Sequence, residues 1–138
     1  MRQVDYIVIH CTATIPEATV QGILNYWRDE KGWNNPGYHI LIDKYGKQYE
    51  LQSFDKIANG VKGFNHNSIH ISYIGGIDSE GNPEDTRTTA QRAAIYEAIR
   101  KAIDYAGYVR ILGHRDFPGV TKSCPSFDAK EEYRWITV

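Results

Sequence analysis

The stretch Val4-Asp5-Tyr6-Ile7-Val8-Ile9-His10 decides the fold. Apolar residues stand on both of its alternating faces, which suits a central strand covered above and below. Such a strand needs helical layers, and the chain supplies two. Pro16 and Glu17 open a helical stretch in which Val20, Leu24 and Trp27 recur at i, i+4 and i+7, with Gly32 as its C-terminal cap. Thr88-Thr89-Ala90-Gln91 matches a capping box, in which the Thr hydroxyl and the Gln amide satisfy free helix-start amides. Behind it Ile95, Ile99 and Ile103 repeat every four residues among Ala94, Ala98, Ala102 and Ala106, and Gly107 ends the helix.

Further strands are expected at Tyr38 to Ile42, at Lys47 to Leu51 across an Asp43-Lys44-Tyr45-Gly46 turn, at Ser68 to Ile74, and at Val109 to Leu112. Ser53 to Asn67, rich in Gly and Asn, reads as an irregular surface connection, and Asp78 to Pro83 as a loop. A loop punctuated by Pro118, Gly119 and Pro125 leads to a short terminal helix near Asp128. There is no internal repeat, low-complexity tract or linker. Intermixed strands and helices give an α/β fold: one domain over residues 1–138, with a central mixed β-sheet flanked by helices.

Composition narrows the function classes. The 138 residues carry 16 Lys+Arg against 17 Asp+Glu, a net charge of −1, which argues against an electrostatic nucleic-acid binder. No apolar run approaches the roughly 18 residues of a membrane span, so no membrane insertion is expected. The amino terminus lacks the charged and apolar regions of an export signal. Two cysteines do not make a disulfide framework.

Three potential soft-metal ligands, His10, His114 and Cys124, sit where strands end or in the adjoining loop, which is where functional side chains gather in α/β sheets. Their spacing carries no tight ligand motif, and each has an ordinary alternative: a hydrogen-bonded structural histidine, or a small buried thiol. Two His and one thiolate would leave a fourth tetrahedral position for water, the open arrangement of a catalytic site. Cys11 adjoins His10 on the same strand and faces the other way, into the fold. If Thr121 to Cys124 is extended, Lys122 and Cys124 share a side, and the ammonium can meet the negative oxygen of acyl transfer; otherwise Lys122 is a solvated surface residue. Glu84-Asp85 and Glu131-Glu132 read as solvated charges, and Trp27 and Trp135 as core residues of helices.

Ile9-His10-Cys11-Thr12-Ala13-Thr14, Gly32-Trp33 and Gly37-Tyr38-His39-Ile40-Leu41-Ile42 resemble the first half of zinc-dependent N-acetylmuramoyl-L-alanine amidases, in the branch typified by bacteriophage T7 lysozyme within the peptidoglycan-recognition-protein superfamily. Val61-Lys62-Gly63-Phe64-Asn65, Ser68-Ile69, Gly75-Gly76, Gly113-His114-Arg115-Asp116 and Lys122-Ser123-Cys124-Pro125-Ser126-Phe127-Asp128 continue the resemblance in order. It implies that His10, His114 and Cys124 bind one catalytic Zn2+ and that Tyr38 and Lys122 assist catalysis. The implied substrate is peptidoglycan or a muropeptide, cut between N-acetylmuramic acid and the first L-alanine. Substrate-binding residues stay unassigned, and a monomer is expected.

Two departures from the family pattern stand out. Gly60 replaces the His that phage enzymes usually carry before Val-Lys-Gly, and His70 replaces a Gly favoured after Ser-Ile. His66 lies close enough in sequence to stand in for the missing imidazole, its alternative being a plain exposed loop residue. The competing readings are a peptidoglycan-recognition module that binds without cutting, whose members typically lack the Cys ligand, a structural zinc domain, and a cytoplasmic muropeptide-recycling amidase. With no export signal visible, the chain is expected to be made in the cytoplasm and to reach the wall as a phage or prophage lysin or through a dedicated secretion machine.

Overall fold

The segment around Ile7-Val8-Ile9 forms strand β1 (Tyr6–Cys11), and it is hydrogen-bonded on both edges in the computed structural model, which describes residues 2–137. Met1 and Val138, the ends of the expected domain, lie outside the described residues. β1 pairs in parallel with β4 (Ser68–Tyr73) on one side and β5 (Arg110–Gly113) on the other. β2 (Ile40–Ile42) continues the sheet in parallel beyond β4, and β3 (Gln48–Glu50) closes the edge antiparallel to β2. The order β3-β2-β4-β1-β5 is a mixed sheet, as expected from the interleaved elements.

Alternation along β1 divides its side chains between two layers. Ile7, Ile9 and Cys11 join Ile69, Ile71 and Tyr73 of β4 against helix α2 (Thr89–Ala106), whose Ile95 and Ile99 are fully buried. Each such isoleucine contributes roughly 1.5–3 kcal/mol, so this face carries much of the stability. Val8 and Leu112 face the opposite layer with Val61 and Phe117, beside a cluster in which Ile23 and Trp27 of helix α1 (Val20–Asp29) cover Leu41 and Ile74. The Thr88–Gln91 capping box forms with both reciprocal hydrogen bonds, and Gly107 closes α2.

Local chemistry shifts several boundaries. α1 begins after Thr19, whose hydroxyl accepts the Gly22 N–H, while Pro16 and Glu17 form a separate turn. Glu30 closes that helix, and Gly32 takes a left-handed backbone (φ +64°) two residues on. The Ser53–Asn67 connection is not only a surface loop: Ala58 and Val61 are buried, because Val61 completes the cluster beneath Val8. Thr121 to Cys124 is bend and turn rather than extended chain. Trp135 is exposed at 62% and stacks on Tyr96 instead of entering the core.

In each acidic pair one member is exposed as expected, Glu84 and Glu131, and the other is not free. Asp85 and Glu132 are not free solvated charges but clamp the Arg87 guanidinium, which lies 3.3 Å from the centroid of the Phe127 ring. Arg87 thus ties the loop before α2 to helix α3 (Ala129–Glu132) and to the segment after Cys124. Burial pushes Asp85 up, but hydrogen bonds and charge from Arg87 outweigh it; the same hydrogen bonds hold Glu132 below the usual carboxylate range. Arg87→Ala is expected to cost about 2–3 kcal/mol by urea unfolding, less than a fully buried pair because the carboxylates are partly solvated. Both folded-state pKa values are depressed, so their contribution is present above the unfolded carboxylate range near ~4 and is lost as pH falls through the lowered values. Wild-type stability should therefore fall more steeply with acid in that range than that of Arg87→Ala; parallel acid profiles would reject the clamp.

Candidate metal centre

The parallel strands β1 and β5 bring their C-terminal ends to one edge of the sheet, where ligands bind in open α/β folds. Alternation sends His10 to the α1 side of the sheet, opposite Ile9 and Cys11. His114 follows β5 directly in a single 3-10 turn, and Cys124 enters from the next loop. One ligand atom from each of the three lies within 4.8 Å of the other two. The His10 and His114 ring centroids are 4.9 Å apart, and Cys124 Sγ lies 3.9 Å from His10 Nδ1. Sequence separation had given no geometric motif; the sheet supplies it.

The Cys124 loop is held from several directions. Its sulfur accepts the Cys11 backbone N–H at 3.2 Å, and the Arg115 N–H donates to the Cys124 carbonyl. The Tyr73 hydroxyl donates to the Pro125 carbonyl at 2.6 Å, and Ser126 Oγ donates to the Gly76 carbonyl. Cys11 packs in the α2-side core, as its alternation requires. A side chain at Gly76 would run into it, and Gly76 itself adopts φ +101°.

Burial pushes His10 well below its ordinary pKa, helped by the neighbouring imidazoles, and burial and then Lys122 lower His114. Both rings are therefore neutral near pH 7, the form in which histidine ligates metal. Contact with the Cys11 thiol and burial push the Cys124 thiol up, so its thiolate calls for a bound cation. Two neutral imidazoles and one thiol form a borderline-soft set suited to zinc, and three protein donors are the number found where a coordination position stays open.

Above these donors lies a cleft of about 1050 Å³ lined by Tyr38 and Lys122. The Tyr38 ring is 5.0 Å from that of His10, and its hydroxyl donates to the Cys11 carbonyl at 3.2 Å. Burial raises the Tyr38 pKa, and the nearby sulfurs raise it further, so the phenol stays protonated. Trp27 packs between Trp33 and Tyr38, giving the cleft an aromatic wall. Its cations include Lys31, Lys62 and Lys122, and no Asp or Glu lines it among the described residues. His66 is exposed and does not line the cleft.

Residue-level reading missed the role of β4. Ser68, His70 and Ser72 are fully buried on one face, the face that carries His10 on β1. His70 lies 2.9 Å from His10 through Nδ1 and Nε2 respectively, and its own Nε2 lies 2.9 Å from Asn65 Oδ1. The available signal was a polar alternation, Ser-x-His-x-Ser, inside a strand whose central position demands burial, since buried polar groups seek partners.

The fold has close counterparts among known structures. In the structure of bumblebee PGRP-SA the same fold recurs with TM-score 0.80 at 20% identity, covering 99% of this chain and 84% of that one. The family described as N-acetylmuramoyl-L-alanine amidase matches residues 1–127, and the chain belongs to it. The endolysin of Klebsiella phage KP32 is 36% identical over 138 residues, covering 97% of this chain and 86% of that protein. The endolysin of Escherichia phage T7 is 35% identical over 134 residues, covering 95% and 84%.

Removing the Tyr73 hydroxyl leaves the buried Pro125 carbonyl without that donor. Tyr73→Phe should cost about 1–3 kcal/mol by urea unfolding and speed the reaction of Cys124 with a thiol reagent. Unchanged stability and reactivity would show that this hydrogen bond does not hold the loop.

Proposed function

We propose that residues 1–138 form one catalytic domain, a zinc-dependent amidase that hydrolyses the bond between N-acetylmuramic acid and L-alanine in peptidoglycan. The observation that carries this reading is the convergence of His10, His114 and Cys124 at the floor of a cleft that also presents Lys122. The endolysin relatives support a wall substrate, reached after synthesis in the cytoplasm, and no helix among the described residues is long and apolar enough to cross a membrane.

His10, His114 and Cys124 would hold the zinc. When bound, the ion supplies Lewis-acid polarisation of the scissile carbonyl and acidifies a water nucleophile. Lys122 would bring its ammonium to the carbonyl oxygen as it becomes negative, worth about 3–4 kcal/mol for one well-placed donor. Because Tyr38 stays protonated it is no base, and its one O–H meets the Cys11 carbonyl here, so it would orient the reacting groups through its oxygen lone pairs or by turning that O–H into the cleft. The wall formed by Trp27, Trp33 and Tyr38 offers apolar ring surface to the glycan or the peptide, while the lysines suit a substrate bearing carboxylates.

The peptidoglycan-recognition relatives favour a second reading, binding without cleavage. Incubation with purified sacculi separates the two. New alanine amino termini without new reducing sugars support the amidase, whereas retention on sacculi without release supports the binder. Cys124→Ala should lose both zinc and hydrolysis while keeping its fold; stoichiometric zinc in that variant by elemental analysis would reject the ligand set. Lys122→Ala should keep zinc but lose about 10²–10³-fold in turnover; near-normal rates would remove its role.

A further inference from the structure

Three hydrogen bonds, followed outward from the backbone, determine which nitrogen of His10 is free. The Val61 N–H can only donate, and it lies 2.7 Å from the Asn65 side chain, so the atom it meets is the amide oxygen. The same oxygen is 2.9 Å from His70 Nε2, which must therefore carry a proton. In a neutral ring Nδ1 of His70 is then bare, and it lies 2.9 Å from His10 Nε2, which must carry the next proton. His10 is left with a bare Nδ1, the atom on the Cys124 side. No carboxylate appears among the hydrogen-bond partners of either ring in the described residues.

Further contacts hold the His70 ring from behind. The His70 backbone N–H donates to His39 Nδ1 at 3.0 Å, and the two rings stack at 16°. His39 in turn donates through Nε2 to the Lys56 carbonyl, so its tautomer is set by backbone groups as well. The His70 ring fills the space in front of Gly60, and a Cβ on Gly60 would fall inside that ring. The two departures from the family pattern are thus in contact: the ring of residue 70 occupies the space that a side chain on residue 60 would need.

We infer that His70, held by Asn65, is a positioning residue for the metal centre: its ring accepts the His10 Nε2–H and keeps His10 Nδ1 bare and aimed at Cys124 and His114. Metal-bound histidines are oriented by the partner of their second nitrogen, and loss of such a partner weakens metal binding by about 10–100-fold. Here the partner is another imidazole on the adjacent strand. The inference rests on the zinc reading above, and the measurements separate the two.

Zinc affinity is read by competition with a chromophoric chelator, with folding followed by circular dichroism. Wild type should bind one zinc; failure to do so would overturn the zinc reading itself. His70→Phe keeps a ring in the space but offers no acceptor, and should weaken zinc binding about 10–100-fold without loss of fold. The exchange variant Gly60→His/His70→Gly, which returns an imidazole to the same space from the loop, should recover most of that affinity. Zinc affinity in His70→Phe within two-fold of wild type would overturn the positioning role. Nitrogen-15 NMR of metal-free wild type tests the same chain without any metal or variant: both His10 and His70 should carry their protons on Nε2, and an Nδ1–H form of His10 would overturn the inference.

Discussion

The parallel pairing of β1 with both β4 and β5 is the constraint on which the rest depends. A strand hydrogen-bonded on both edges can differ between its faces only through side-chain alternation. In β1 that alternation sends Ile7, Ile9 and Cys11 to the α2 layer, leaving Val8 and His10 for the other. The same register sets Ser72 opposite His10 and His70 opposite Val8, while β5 ends one residue before His114. One hydrophobic face thereby secures the sheet, and the opposite face is free to carry polar groups at its C-terminal edge. A one-residue slip of β1 would bury Cys11 and Ile9 in the cleft and turn His10 into the core.

What was legible in the sequence was local. β1 and α2 could be placed because apolar periodicity and a capping box are written in consecutive residues, and Cys11 could be set apart from His10 by alternation alone. The His-His-Cys cluster was legible only as three suitable residues at strand ends or in an adjoining loop; bringing them together required the order of β1 and β5, which no local pattern encodes. The Arg87 clamp escaped for the same reason, since Asp85 and Glu132 look like any solvated acids until α3 folds back beside the loop. His70 looked like an anomaly beside the family pattern. Its meaning depends on a backbone approach from Gly60 and on a partner on the neighbouring strand.

Near-neutral net charge conceals an uneven distribution. The chain totals −1, yet the cleft collects Lys31, Lys62 and Lys122 without a lining carboxylate among the described residues. A concave, low-dielectric wall focuses such a field on whatever enters, so the overall balance understates the attraction felt by an anionic substrate. Lys122, proposed above to meet a developing oxyanion, also adds to the burial that lowers the His114 pKa and keeps that imidazole neutral.

The contact between Gly60 and His70 couples what each of the two positions can hold. A side chain added at residue 60 meets the His70 ring, whereas removing the ring first leaves only a vacant space. Two atoms cannot occupy one place, but a polar vacancy can admit water. Exchange of an imidazole between residues 70 and 60 therefore has to pass through a form with glycine at both positions, with room for a water where the imidazole now stands.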